Sequence, residues 1–360
     1  MSNEVQTPES PLLADLCAQL AGLAAETDIH NTWPEAQLRL CGEYGVYRWF
    51  LSREVGGLGW SAADIVRGYL RLSSACLSTT FIITQRTGAC NRIACGQSNH
   101  ARDALLPELL TGESFATVGI SHLTTSRRHL AKPVLTAVET ADGFLLDGYS
   151  PWVTGGDHAE TIVIGATLKD DRQILVALPG DATGVSADPP QQLVALTSSH
   201  TCAVRCNNVH VDRQWLLAGP AHDVMTSSGG TGAATGGLQT STLAVGLADA
   251  AITFMEGETA QRGDLQEPTN ELRRDQQQLQ TDLLELAAGE HPCSLETLRI
   301  RANSLVLRAT QAALTTAKGA GYVSGHPTGR WCREALFFLV WSCPQPVVQA
   351  SLCELAGLSD

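Results

Sequence analysis

The hydrophobic period of this chain changes twice, and those two changes constrain its fold more than any single motif. Through residues 11–112 apolar side chains recur every three or four positions, as in PLLADLCAQLAGLAAE, AADIVRGYLRLSSAC and HARDALLPELLTG, the spacing of one buried helix face. Within that stretch Gly56, Gly57 and Gly59 mark a turn, with Ser61 placed to cap the next helix. From Phe115 the segments shorten and fill with Val, Ile and Thr: FATVGIS, VLTAVET, GFLLDGYSPWVT, TIVIGATL, QILVALP and TCAVRCNNVHV, separated by turn pairs such as Asp142-Gly143 and Pro179-Gly180. After the glycine-rich SSGGTGAATGG the helical period returns in four segments that end with REALFFLVW. At 360 residues the chain exceeds what one hydrophobic core usually organises. The expected fold is α+β and mainly α: an N-terminal helical domain over 1–113, an antiparallel β-barrel-like domain over 114–221, and a C-terminal four-helix bundle over 222–360.

Charge and cysteine usage narrow the function. A formal net charge of −13 repels phosphate backbones, and no Lys/Arg run offsets it, so a small molecule is a better expected partner than nucleic acid. The eleven cysteines are scattered and mostly in apolar surroundings. Cys202 and Cys206 lack a second Cys/His pair at zinc spacing, so buried reduced thiols are expected and no metal centre. The acidic start, MSNEVQTPESPLLADL, has no signal-peptide pattern, and runs such as EALFFLVW are too short to span a bilayer. These features lead to the expectation of a cytoplasmic protein without a membrane span.

Four stretches, in order, carry a family resemblance. REVGGLGWS stands where a P-E-x-x-G-G-x-G segment is expected, and GQSNHARDALLPELLTGE follows the pattern G-S-x-x-Q-K-x-x-x-L-P-x-L-x-x-G-E. GFLLDGYSPWVTGGDHAE is similar to G-y-x-l-n-G-x-K-x-W-I-T-N-x-x-x-A-d, and GAGYVSGHPTGRWCREA has G-x-G-Y, four residues, Pro and two arginines, with Glu334 in place of Asp. Together they resemble the acyl-CoA dehydrogenase family over nearly the whole chain.

The resemblance implies FAD held between the β domain and the C-terminal bundle, with its adenosine end reaching a neighbouring subunit of a homodimer or homotetramer. It assigns Trp152 and Thr154 to the flavin ring, an indole wall beside a hydroxyl that can serve a polar ring edge. Ser121 stands where a flavin-bonding Thr is usual, and Arg262 stands at the spacing of a pyrophosphate arginine, without the Phe-Gly that normally follows it. Gln276 corresponds to a next-helix glutamine if three residues are inserted. Gly319 and Gly321 suit either close phosphate approach or a helix C-cap. Thr315 replaces an expected glutamine. The loop SHLTTSRRHLAKP carries Arg127, Arg128, His129 and Lys132, a basic cluster that can meet CoA phosphates or simply face solvent.

The family's catalytic acid has no counterpart. Its usual position falls on Ser342, and the alternative position, on the first long bundle helix, falls on Gly236, with Gly237 in place of an arginine. Asp249 lies thirteen residues beyond Gly236, roughly 20 Å along a helix, and Glu256 lies farther. Glu334 precedes Ser342 by eight residues, roughly 12 Å along a helix, and its motif neighbours point to a structural ion pair. A serine hydroxyl is no general base at neutral pH without a base of its own. His122, beside Ser121, is a base candidate with a pKa in the working range, or a structural histidine. Three readings follow: an FAD-dependent acyl-CoA oxidoreductase whose base is unidentified, a flavin-dependent monooxygenase or oxidase on the same fold, and a non-catalytic relative.

Overall fold

A computed structural model describes residues 4–124, 133–227 and 237–358. Five helices open the chain: α1 (Pro11–His30), α2 (Glu35–Glu43), α3 (Ala62–Ala75), α4 (Leu77–Cys95) and α5 (Asn99–Thr111). Their ends follow local chemistry. Ser10, Ser61 and Ser98 cap α1, α3 and α5 through their hydroxyls, and Gly112 closes α5 in a left-handed conformation with φ 87°. The turn before Ser61 needs glycine for space, because a Cβ on Gly57 would sit 2.0 Å from the Leu51 carbonyl oxygen.

Eight strands follow: β1 (Ala116–Gly119), β2 (Leu135–Glu139), β3 (Gly143–Val153), β4 (Thr161–Leu168), β5 (Gln173–Pro179), β6 (Val185–Ala187), β7 (Cys202–Asp212) and β8 (Leu216–Ala221). A four-residue helix, α6 (Ser121–Thr124), interrupts them after β1, and α7 (Val224–Ser227) follows β8. The sheet runs β6-β7-β3-β2-β4-β5-β8, with β1 also on β4. Most pairs are antiparallel, as expected, but β1–β4 and β2–β4 are parallel, so the sheet is mixed. The reason is that β1 arrives directly from the helical segment and β2 follows α6, so neither is joined to β4 by a hairpin.

Strand β4 reads as a continuous apolar run, and every residue in it is buried. Its alternation divides the run between two cores: Ile162, Ile164 and Ala166 pack inside the sheet, and Val163 packs against α4 and α5. Strand β5 does the same with Ile174, Val176 and Leu178 on one face and Leu175 and Ala177 on the other.

The last segment holds α8 (Leu238–Thr259), α9 (Gln266–Ala287), α10 (Leu295–Ala317), α11 (Pro327–Ala335) and α12 (Gln345–Leu355). REALFFLVW is not one helix. α11 stops at Ala335 and a 3-10 turn covers Leu336–Leu339, because Arg299 and Asn303 of α10 donate to the Phe338 carbonyl and Arg299 also to that of Trp341. Pro344 then caps α12, a helix absent from the sequence expectation.

The first and last helical segments share one apolar cluster: Leu13, Leu16 and Leu72 lie in it beside Leu243, Leu247, Leu305 and Phe338. Helix α8 meets α3 so closely that a Cβ on Gly246 would stand 2.7 Å from the Leu70 carbonyl oxygen, and Ser73 donates to the Leu243 carbonyl at 2.7 Å. Among the described residues only α8 is long and apolar enough to cross a membrane, and most of it lies buried in this cluster. All eleven cysteines are free, and burial pushes the Cys17 and Cys202 thiols up to about 11.

Candidate functional site

On the sheet side, the end of β3 presents Trp152 and Thr154 to opposite environments. Trp152 is 56% exposed, whereas Thr154 is buried, its hydroxyl 3.2 Å from that of Thr201, which in turn lies 2.9 Å from that of Ser199. The three hydroxyls form a chain that holds Thr154 in one rotamer beside an open indole face. Gly155 follows in a left-handed conformation and donates to the Ser199 carbonyl at 2.9 Å, which fixes the exit of the strand.

Ser121 and His122 are not at a strand end but open α6, one residue beyond β1. His122 is mostly buried, with Nε2 2.9 Å from the Gly165 carbonyl oxygen. That contact requires an N–H on Nε2, so Nδ1 carries the lone pair, and it has no partner among the described residues. Burial pulls the His122 pKa below the usual imidazole range, only partly offset by the Gly165 contact, so the ring is neutral at pH 7.

On the bundle side, Arg262 follows α8 and donates to the Thr316 carbonyl at 2.7 Å, with Asp264 at 3.9 Å. It therefore reaches the end of α10, whose cap is Lys318 rather than a glycine. Gly319 and Gly321 occupy the following 3-10 turn, Lys318–Tyr322. They differ in kind. A Cβ on Gly319 would meet nothing within 4 Å, whereas one on Gly321 would stand 2.6 Å from Thr328 Oγ1, so packing within the chain explains Gly321. Gln276 bonds within the bundle rather than to Arg262. It is buried on α9, accepting from Arg273 at 3.1 Å and donating to Gln280 at 3.1 Å.

The acids near the missing base are engaged elsewhere. Asp249 and Glu256 both pair with Arg273, at 2.5 and 2.7 Å. Glu334 is buried 3.6 Å from Arg330, and burial pushes its pKa up to about 7 despite that guanidinium. Ser342 sits in a turn with φ 48°, preceded by the carbonyl that binds Arg299. Gly236, Arg127, Arg128, His129 and Lys132 lie outside the described residues.

Comparison with known proteins bears on this arrangement. The pattern described as "Acyl-CoA dehydrogenase, N-terminal domain" matches residues 14–113. A protein named "Probable acyl-CoA dehydrogenase YngJ" from Bacillus subtilis (strain 168) is 22% identical over 343 residues, covering 88% of each chain. The chain is similar to the acyl-CoA dehydrogenase family along nearly its whole length, and its N-terminal helical segment matches the family's N-terminal domain. Two solved structures show the family fold: a glutaryl-coenzyme A dehydrogenase in complex with glutaryl-CoA has a TM-score of 0.82 at 18% identity, covering 97% of this chain and 96% of its own. A glutaryl-CoA dehydrogenase from Mycobacterium smegmatis in complex with FADH2 has a TM-score of 0.80 at 15% identity, again covering 97% and 96%.

The similarity to that family implies a flavin cofactor, and the residues present fit one in part. Trp152 offers a broad unpacked aromatic face next to a fixed hydroxyl, and Arg262 lies near the open turn at Gly319. Gln276 and Gly321 are taken up by the bundle's own packing. The sequence reading missed Thr201 and Ser199, which position Thr154. The hydroxyl-rich TSSHT at 197–201 was the available signal, but strand pairing between β3 and β7 is what brings it there.

Proposed function

We propose that this protein is an FAD-dependent oxidoreductase acting on the CH–CH group of an acyl thioester. The observation that supports it most is the exposed Trp152 beside the buried, hydrogen-bonded Thr154, where the family resemblance expects the flavin ring. When bound, the flavin supplies the acceptor for the hydride from the substrate's β carbon. Trp152 gives an apolar wall and Thr154 a fixed hydroxyl toward the ring edge. Arg262 and the turn at Gly319 suit the pyrophosphate, and the family resemblance expects the site to be completed by a second subunit of a homodimer or homotetramer. For the α proton no acceptor is assigned: His122, the neutral candidate beside Ser121, holds its Nδ1 buried.

Ser342 supports a second reading. A hydroxyl where the family has an acid fits a flavin-dependent oxidase or monooxygenase, or a non-catalytic relative. The visible spectrum of the purified protein, with and without added FAD, separates these, followed by an anaerobic titration with acyl-CoA esters. Flavin bands that bleach with an acyl-CoA support the first reading. Flavin that turns over oxygen but ignores acyl-CoA supports the oxidase. A protein that stays colourless after FAD addition and desalting removes tight FAD binding and favours the non-catalytic relative or borrowed reduced flavin.

A further inference from the structure

Beyond Thr154, three nitrogen and oxygen atoms from two loops converge at a place that the cofactor site does not use. His200 Nδ1 lies 2.9 Å from Asp157 Oδ2 and 3.0 Å from His158 Nε2, and the latter two are 3.7 Å apart. We propose that Asp157, His158 and His200 form a binding site for a first-row divalent cation, with zinc the ion favoured by the donor set. The ligands are two imidazoles and one carboxylate, a combination that suits zinc.

The geometry accommodates the ion. A circle through the three atoms has a radius of about 1.9 Å, so a zinc ion at its usual ~2.0–2.1 Å from nitrogen and oxygen sits just off their plane. All three side chains are partly exposed, which leaves an open side for water as a fourth ligand.

The surroundings set the histidine tautomers. His200 Nε2 faces the Asn31 carbonyl oxygen at 3.4 Å, an acceptor that calls for N–H on that nitrogen and leaves the Nδ1 lone pair toward the cluster. With Nδ1 unprotonated, it faces a carboxylate oxygen and a second ring nitrogen at hydrogen-bond distance, so three acceptors converge, an arrangement a cation satisfies. Trp33 stacks on the His158 ring at 4.4 Å and 9°, which orients Nε2 inward.

A cation here ties the loop just after Trp152 and Thr154 to the segment carrying Ser199 and Thr201, and through Asn31 and Trp33 to the connection between α1 and α2. The rival explanation is a proton: an N–H on His200 Nδ1, directed at Asp157 and His158, satisfies the same three atoms without metal.

The test uses the full chain, stripped with a chelator, reduced, and titrated with Co²⁺ and then Zn²⁺. One tight equivalent is expected, with visible cobalt bands of nitrogen and oxygen ligation, displacement by Zn²⁺, and a Zn²⁺-dependent rise in Tm. His200→Gln and Asp157→Asn should each weaken that equivalent at least tenfold, while Asp142→Asn beside His210 leaves it unchanged. Because a variant could misfold, the wild-type protein supplies a second readout: Co²⁺ should quench tryptophan emission, and Trp33→Phe should remove most of that quenching. No tight equivalent, a thiolate-to-cobalt charge-transfer band, or binding unchanged in His200→Gln and Asp157→Asn overturns the proposal.

Discussion

The sheet-side and bundle-side halves of the candidate cofactor site use their polar groups in opposite ways. At the end of β3, the hydroxyls of Thr154, Thr201 and Ser199 hold one another, and the large side chain next to them, Trp152, is left open. In the bundle, the corresponding groups serve the fold: Arg262 binds the end of α10, Gln276 binds Arg273, Gly321 is needed against Thr328, and Glu334 is buried with Arg330. A retained motif residue is thus a retained ligand contact only where its surroundings leave it an unused face. The sheet side meets that condition, and on the bundle side it is met at Gly319 and in part at Arg262.

Five variants can break or sharpen this contrast. Ser342→Glu carries the largest expected effect, because it returns a carboxylate to the bundle half. If the rest of the site is competent, the rate of flavin reduction by acyl-CoA in anaerobic stopped flow should rise by roughly 10²–10⁴, the usual worth of a positioned general base. No gain would show that the bundle half has departed from the family in geometry as well as in sequence.

Glu334→Gln comes next and tests whether that acid is structural. Its folded pKa, about 7, is raised above the unfolded value near 4.5, so ionisation favours the unfolded chain. The group's unfavourable contribution is absent below about 4.5, grows through pH 5 and 6, and is complete above about 7, reaching on the order of 1–3 kcal/mol. Urea denaturation at pH 5 and pH 8 should therefore show a smaller pH-dependent loss of stability in Glu334→Gln than in the wild type. An identical loss in both would mean that Glu334 is ionised throughout.

Gly321→Ala should destabilise the chain by about 1–3 kcal/mol by overpacking against Thr328 and Ala317. Gly319→Ala, with open space around it, should be near neutral in the same denaturation measurement and affect only flavin retention. Equal stability losses at both positions would erase the distinction drawn between them. Thr154→Val has a small effect, about 1 kcal/mol for one lost hydrogen-bonded hydroxyl, seen as a several-fold faster loss of flavin on gel filtration. A colourless wild type would leave the Thr154 hydroxyl as part of the Thr201 network alone.

The order of helices, strands and helices was legible because periods of 3.6 and 2 leave different traces in sequence, and β4 and β5 show both faces buried as an unbroken apolar run. Helix α4 was less legible. Its TTFIIT run is β-branched, yet it forms a helix because Phe81, Ile82 and Ile83 bury in the helical core while Ala89, Cys90 and Ile93 bury against the sheet. The break in REALFFLVW was hidden for a similar reason: its cause is Arg299 and Asn303, more than thirty residues earlier.

By itself, the sequence determined most of the element types, the helix cap at Ser61, and the motifs that point to the family, because each depends on neighbours within one turn or one strand. Only the tertiary structure decided which motif residues are free to meet a ligand. It buried Gln276 and Glu334, left Trp152 open, and brought Asp157 and His158 to His200 across 42 residues of chain. Those outcomes depend on strand pairing and helix packing, which bring together groups whose separation in sequence carries no sign of their contact.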